Sequence, residues 1–577
     1  LAGLDRVAAL PGCEEAQPDL VEAVLEEAGR FFGGVWAPLN RIGDTQGTTL
    51  ANGTVTSASG FPEPSRQFVE AGWGGMPFDP HYGGQGLPWL VTAAVTETTQ
   101  AANLSFGLCP LLTQGAVELL SAHGADWQKA HYLPRLISGE WTGTMCLTEP
   151  QAGSDLSQVR ARAVPDGEAY RITGQKIYIT WGDHDLTDNI VHMVLARLPD
   201  APAGTRGISL FLVPKVLPDG SRNDVTTAAL EHKLGIHASP TAVLSFGEGD
   251  GAVGWLVGPA NAGLKCMFTM MNNARLGVGL QGVAIAERAY QQAAAYARER
   301  VQSRPIGKPE EHGPAPIIDH PDVRRMLMTM RALTEAARAL AYQAAAHLDH
   351  AKRAPDPEAR RHHQAQVDLL IPVVKAWSTD VGVRVASLGI QVHGGMGFVE
   401  ETGAAQHYRD ARITPIYEGT NGIQANDLLW RKLLRDNGAA VTEALAAMRA
   451  TEAELAAAGG FTAEAIRPAL QAAVQDLATA TDWMLQHAAA DPTDGAGGAT
   501  PYLELFGTVA GGWMMARAAL EAHRRLEAGD ADRPFLESKL ATARFYAANI
   551  LPAAGGLAAW RQAQDGAGPS PAGGRES

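Results

Sequence analysis

The chain has 577 residues, 62 acidic against 47 basic, for a formal charge of −15; that excess of negative charge argues against nucleic acid or an anionic membrane as the main partner. Such a length exceeds one hydrophobic core and predicts three or four cooperating domains, which a hydrophobic content of 46% is ample to fill. Cys13, Cys109, Cys146 and Cys266 stand far apart, so neither a disulfide framework nor a metal site is predicted. Apolar runs such as 369–374 end well before the roughly 20 residues that span a bilayer. No membrane segment is expected, and the location expected is cytoplasmic. The chain opens on Leu1 without a basic, apolar leader, so its natural first residues are expected to be missing.

Apolar residues recur at helical spacing over 20–32, 90–102 and 111–123, which makes residues 1–140 an N-terminal α-helical domain. Within it, Gly72-Trp73-Gly74-Gly75-Met76-Pro77 and Tyr82-Gly83-Gly84-Gln85-Gly86 form a glycine-dense connection able to turn sharply or approach a ligand. Trp73, Trp89 and Trp127 read as packing residues.

From 141 to 258 the pattern alternates, with strand-like runs at 170–173, 176–180, 190–195, 208–213 and 242–246 between Gly, Pro and Asp turns; this predicts a β barrel or sandwich. Its opening loop, Thr148-Glu149-Pro150-Gln151-Ala152-Gly153-Ser154-Asp155, offers hydroxyls and backbone donors suited to a flat heterocycle or a phosphate.

Residues 259–436 return to long helices, at 263–300, 322–348 and 360–389, and predict a helical bundle. One helix ends in the basic turn Arg300-Val301-Gln302-Ser303-Arg304, another in Gln391-Val392-His393-Gly394-Gly395-Met396-Gly397. Glycine-capped helix ends and a bare backbone that admits a pyrophosphate are both open readings here. His362-His363 reads as a solvated helix face. Alanine-rich segments at 439–457, 462–490, 502–526 and 534–551 predict a further helical domain over 437–565, with a Gly/Asp loop at 491–500 and a disordered tail at 566–577. The fold class is α+β.

Tyr417-Glu418-Gly419-Thr420-Asn421-Gly422-Ile423-Gln424 places one carboxylate beside glycine, ahead of a polar turn that starts a helix. A carboxylate so flanked can be desolvated and still reach a ligand, as a general base requires. Taken alone, the segment favours the plainer reading, an exposed loop glutamate ahead of a helix.

Several spacings agree on one family. Met145-Cys146-Leu147-Thr148-Glu149-Pro150 with Ala152-Gly153-Ser154-Asp155, Tyr178-Ile179-Thr180, Gln391 with Gly394-Gly395-Met396-Gly397, Tyr408-Arg409-Asp410-Ala411, and the stretch 416–424 resemble the acyl-CoA dehydrogenase family over residues 1–436. The region after 437, the Asn421-Gly422-Ile423-Gln424 continuation and Met270-Met271-Asn272-Asn273-Ala274-Arg275 resemble the subgroup that includes 3-(methylthio)propanoyl-CoA dehydrogenase; extended fatty acyl-CoA dehydrogenases share much of this.

The resemblance implies an FAD whose ring lies between the β domain and the bundle. Thr148 would meet the pyrimidine side and Thr180 the N5 side, with Met145, Leu147, Gly153 and Ser154 nearby. Tyr178 would pack on the ring where relatives often have tryptophan. Arg300 and Gln302 from a neighbouring subunit would meet the pyrophosphate, Gln391, Gly394 and Gly395 the adenosine side, and Thr420 would approach from its helix start. Sharing the cofactor implies a homo-oligomer, dimer or tetramer.

For chemistry, the resemblance implies Glu418 as the base for the α-proton, with its own backbone N–H and a flavin ribityl hydroxyl on the thioester oxygen. Flavin N5 would accept the β-hydride to give a trans-2-enoyl-CoA. Ser154, Asn272, Arg275, Tyr417 and Gly419 would contact substrate; Ala274 stands where some members carry their base. An electron-transfer flavoprotein would take the electrons. A medium- or long-chain fatty acyl-CoA dehydrogenase and an acyl-CoA oxidase are the enzymatic alternatives. A DNA-binding or assembly flavoprotein is the non-catalytic one, disfavoured by Glu418 and the net acidity. Acyl selectivity rests on a pocket near 90–104 and the Tyr417 loop.

Overall fold

The computed structural model describes residues 1–560; the tail expected to be disordered, 566–577, lies outside the described residues. The chain divides into two compact units. One comprises 4–285 with 406–414, the other 1–3, 286–405 and 415 onward.

The first unit opens with helices, among them Pro18–Phe31, Trp89–Ala102, Leu104–His123 and Asp126–Ser138. Leu104–His123 starts seven residues earlier than its periodicity suggests, because Asn103 caps it by accepting the Phe106 N–H at 3.1 Å. It is apolar on nearly every face and, by length and composition alone, could cross a membrane. Yet 78% of that window is buried, as in a core helix of a folded domain.

A short hairpin, β1 (Thr49–Ala51) and β2 (Thr54–Thr56), precedes the main sheet. The eight remaining strands are β3 (Trp141–Cys146), β4 (Arg162–Asp166), β5 (Ala169–Thr180), β6 (Asn189–Arg197), β7 (Ile208–Pro214), β8 (Val225–Leu230), β9 (Thr241–Phe246) and β10 (Ala252–Leu256). The order β10-β7-β6-β4-β5 closes on itself because β10 also pairs with β5, giving the expected small barrel. β9 and β8 continue from β5, and β3 runs parallel to β6. Ile172, Ile179, Val194, Phe211, Val213 and Leu244 fill the interior.

In the second unit, Pro321–Arg353 and Pro357–His393 form a long helical hairpin. Asp356 starts its second arm by accepting the N–H groups of Glu358 and Ala359. The hairpin corrects one expectation. His362 is exposed and lies 3.1 Å from Glu443, but His363 turns inward, its Nδ1 2.8 Å from that of His347, because the paired helices leave its side of the turn covered.

The later helices are Ala439–Ala458, Gly460–His487, Pro492–Glu527 and Arg533–Asn549. The expected loop at 491–500 is helical instead. Asp491 caps Thr493 and Asp494, and Pro492 occupies the first helical position. The glycines serve close packing: a Cβ on Gly498 would lie 2.6 Å from the Trp560 ring, and one on Gly507 2.3 Å from Trp377.

Candidate active site

Glu418 sits half-buried in the second unit, in a loop that bends twice through left-handed backbone, at φ 56° for Glu418 and 86° for Gly419. A non-glycine residue in that region is strained and needs support from its surroundings. Here the support comes from the helix that follows. Thr420 caps Asn421–Asn426, its hydroxyl accepting the Ile423 N–H at 3.3 Å, while the buried Gln424 amide donates to the carbonyls of Glu418 and Gly419, each at 3.3 Å.

From beneath, Lys375 donates to the Gly419 carbonyl at 2.8 Å and to the Asn421 side chain at 3.0 Å. Sequence reading passed over Lys375, Asn421 as an anchor, and Gln424. The available signal was a single lysine inside the apolar run Leu369–Trp377.

In the same unit, the Gly263–Glu299 helix ends beside Arg300, and its Tyr296 stacks on the buried His393 with ring centroids 4.5 Å apart. That contact brings Arg300 and the Gly394-Gly395 turn to one region. The segment after Arg300 folds back on itself: Gln302 N–H donates to Ala315, and Ile317 N–H to Arg300. Arg300, Gln302, Gln391, Gly394 and Gly395 are all exposed, and a Cβ on either glycine would meet open space. Thr420 is exposed as well.

In the first unit the loop after β3 carries the other group. Met145 lies on β3 with Leu147 and Thr148 just beyond, and the Thr148 carbonyl accepts the Ile177 N–H at 2.9 Å, which sets Thr148 beside Tyr178. A β-bulge between Lys176 and Ile179 gives Tyr178 a φ of 58° and turns its ring outward, 59% exposed. Thr180 is half-buried at the end of β5, while Gly153 and Ser154 are exposed in the turn.

Below this loop lies an unforeseen ion pair. Lys176 Nζ is 2.8 Å from Glu149 Oε1 and 3.0 Å from the Leu147 carbonyl. Burial alone would raise the Glu149 pKa, but the ammonium and the N–H groups of Arg160 and Ala161 outweigh it and hold the carboxyl below its ordinary range.

Tyr408-Arg409-Asp410-Ala411 serves structure in this unit. Arg409 makes a two-pronged pair with Asp44 at 2.7 and 2.6 Å, and Asp410 accepts the Ile236 N–H.

Of the substrate candidates, Asn272 is exposed, Arg275 is buried on the helix beginning at Gly263, and the intervening Ala274 is buried and carries no proton acceptor. A small cavity of about 20 Å³ in the first unit is lined by Thr92, Val95, Thr96, Thr99 and Gln100 of Trp89–Ala102 and by Gly107, Pro110, Leu111 and Gln114 of Leu104–His123. Trp73, expected only to pack, does so against Phe31 and Phe32 and also lines this cavity. Gln100 spans the space between the two helices, donating to the Gly107 carbonyl at 2.8 Å.

Family models match nearly the whole chain: the acyl-CoA dehydrogenase N-terminal domain at 50–140, middle domain at 144–248 and C-terminal domain at 261–433, followed by the acetyl-CoA dehydrogenase C-terminal-like model at 440–567. The chain belongs to the acyl-CoA dehydrogenase family, oxidoreductases that use FAD and act on acyl-CoA thioesters.

It is 52% identical over 552 residues to the 3-methylmercaptopropionyl-CoA dehydrogenase of Ruegeria pomeroyi, covering 95% of this chain and 93% of that one. It is 36% identical over 564 residues to a butyryl-CoA dehydrogenase of Syntrophomonas wolfei, covering 92% and 90%. Among solved structures, an acyl-CoA dehydrogenase from Bacillus anthracis complexed with FAD shares the fold with a TM-score of 0.76, over 98% of this chain and 91% of that one, at 20% identity.

The residues present fit a flavin. Among the described residues the hydroxyls of Thr148, Ser154 and Thr180 have no hydrogen-bond partner, and they lie on the loop and strand that present the outward Tyr178 ring. Donors and an aromatic face are what a flat, polar-edged heterocycle requires.

Proposed function

We propose that this chain dehydrogenates a short acyl-CoA thioester between Cα and Cβ, with the 3-(methylthio)propanoyl thioester as the first substrate to test and Glu418 as the base. The observation that carries the reading is Glu418 itself: a half-buried carboxylate held on a braced, left-handed loop, in a chain whose alternative base position is Ala274. The 52% identity to an enzyme named for the methylthio substrate supports the choice of acyl group.

The α-proton of a thioester is weakly acidic, so Glu418 must lie within reach of it and charge developing on the thioester oxygen must be met by a donor. The backbone N–H of Glu418 fills that second role. Tyr417 and Gly419 flank the reacting carbons, Arg275 and Asn272 hold the CoA portion with Ser154, and side chains of Trp89–Ala102 border the acyl chain. Bound FAD supplies the acceptor for the β-hydrogen and its electron pair.

Thr148 and Thr180 hold the ring edges, Tyr178 its face, and Met145, Leu147, Gly153 and Ser154 the surrounding backbone. Arg300, Gln302, Gln391, Gly394, Gly395 and Thr420 hold the diphosphate and adenosine, the first two across to a second copy. The exposed Ile306 and Phe398, at 88% and 89%, support a homo-oligomer that covers them. Domain limits of 1–140, 141–258, 259–436 and 437–565, a cytoplasmic location and an electron-transfer flavoprotein as acceptor belong to the same reading.

The test is anaerobic bleaching of the bound flavin by acyl-CoAs from short and methylthio-substituted to long chains. Fastest bleaching by the methylthio thioester supports the assignment, and fastest bleaching by long chains refutes it. Turnover with oxygen alone, matching that with a flavoprotein acceptor, makes the protein an oxidase.

A further inference from the structure

We infer that Lys375 is a positioning residue for the base, holding the peptide after Glu418 through a buried ammonium–amide–carboxylate relay. The inference rests on the assignment of Glu418 made above. Lys375 is fully buried on the Pro357–His393 helix, between apolar neighbours, where an ammonium loses its hydration and a methionine or leucine would pack at lower cost.

What the charge does there is specific. Its Nζ donates to the carbonyl of Gly419 at 2.8 Å and to Asn421 Oδ1 at 3.0 Å. The other end of the same amide, Asn421 Nδ2, donates to the Ala376 carbonyl at 3.1 Å, to Thr379 Oγ1 at 3.1 Å and to Asp380 Oδ1 at 2.9 Å. The relay therefore starts at the carbonyl following Glu418 and ends on the carboxylate of Asp380, further along the same helix as Lys375.

The consequence is a matter of rotation. Glu418 and Gly419 are consecutive left-handed residues, and the peptide planes fixed on either side of Gly419 help keep them so. Gln424 reaches the carbonyls of both planes at 3.3 Å, and Lys375 holds the second one by the shorter bond of 2.8 Å. Without the ammonium, the Gly419 carbonyl keeps only the longer Gln424 contact of these two, so the peptide turns more easily and the Glu418 carboxylate swings with it. Misplacing a reacting group by about 1 Å costs on the order of 100-fold in rate.

The experiment compares wild type, Lys375→Met, Asn421→Ala and Glu418→Gln, all FAD-loaded, by single-turnover flavin bleaching with butanoyl-CoA carrying deuterium at Cα or at Cβ. Lys375→Met is expected to slow bleaching roughly 100-fold with substrate affinity changed less than about threefold, and to raise the α-deuterium isotope effect while leaving the β-deuterium effect alone. Asn421→Ala shifts the same quantities in the same direction while leaving Lys375 its Gly419 acceptor, and it decides the matter if Lys375→Met does not fold. An unchanged rate, or a slower one with an unchanged α-deuterium effect, overturns the role of Lys375. If Glu418→Gln bleaches as fast as wild type, the base assignment itself fails. If Glu418→Gln is inert while Asn421→Ala and Lys375→Met behave as wild type, only the positioning role fails.

Discussion

Lys176 and Glu149 face each other at 2.8 Å, 0% and 4% exposed, and between them hold three segments of the first unit: the Leu147 carbonyl, the Arg160-Ala161 backbone and strand β5. The Thr148 loop is thereby fixed from below. Breaking a buried pair on one side strands a charge, whereas removing both charges does not. Lys176→Met is expected to cost about 3–5 kcal/mol and to lower FAD retention. The double variant Lys176→Met/Glu149→Gln recovers most of the loss. Thermal unfolding and flavin absorbance after desalting measure both; a double variant no better than the single one contradicts the account.

Two glycines in helices should respond in opposite directions. A Cβ on Gly507 would lie 2.3 Å from Trp377, so Gly507→Ala overpacks the contact and destabilises by about 1–3 kcal/mol. A Cβ on Gly29 in Pro18–Phe31 meets open space, and Gly29→Ala stabilises by about 0.5–1 kcal/mol through helix propensity. Melting temperatures of the two variants check the pair.

Three histidines, His184 and His192 buried and His347 half-buried, set an acid limit. Burial lowers His184 to about 4 and His192 to about 3; burial and then the neighbouring His363, His362, His350 and Arg517 lower His347 to about 3. Each is neutral when folded and takes up a proton more readily when unfolded, so its stabilisation is full above about pH 6.5 and is lost as pH falls toward 3–4. Asp410, raised by burial to about 6, acts oppositely over pH 6 to 4. With three groups against one, the melting temperature falls on acidification from pH 7 to pH 4. His192→Gln flattens that fall.

Much of this was legible in the residues. The barrel followed from alternation and turns, whereas the Glu418 loop alone favoured an exposed glutamate, and only the resemblance carried by distant motifs made it the expected base. The failures share one cause. Asp491–Thr500 reads as a loop by composition, but its small residues are there to let helices approach, a demand visible only once Trp560 is in place. His363 reads as solvated until the hairpin sets it against His347. Lys176 and Lys375 look like surface residues one at a time; their partners lie 27 and 44 positions away, beyond any local pattern.

The central claim is that Glu418 takes the α-proton. Its most direct test is Glu418→Gln, which keeps the side chain's size and removes the proton acceptor, mixed anaerobically with a short acyl-CoA while the flavin absorbance is followed. FAD content should match wild type and bleaching should slow by about 1,000-fold or more. Bleaching at the wild-type rate would contradict the account.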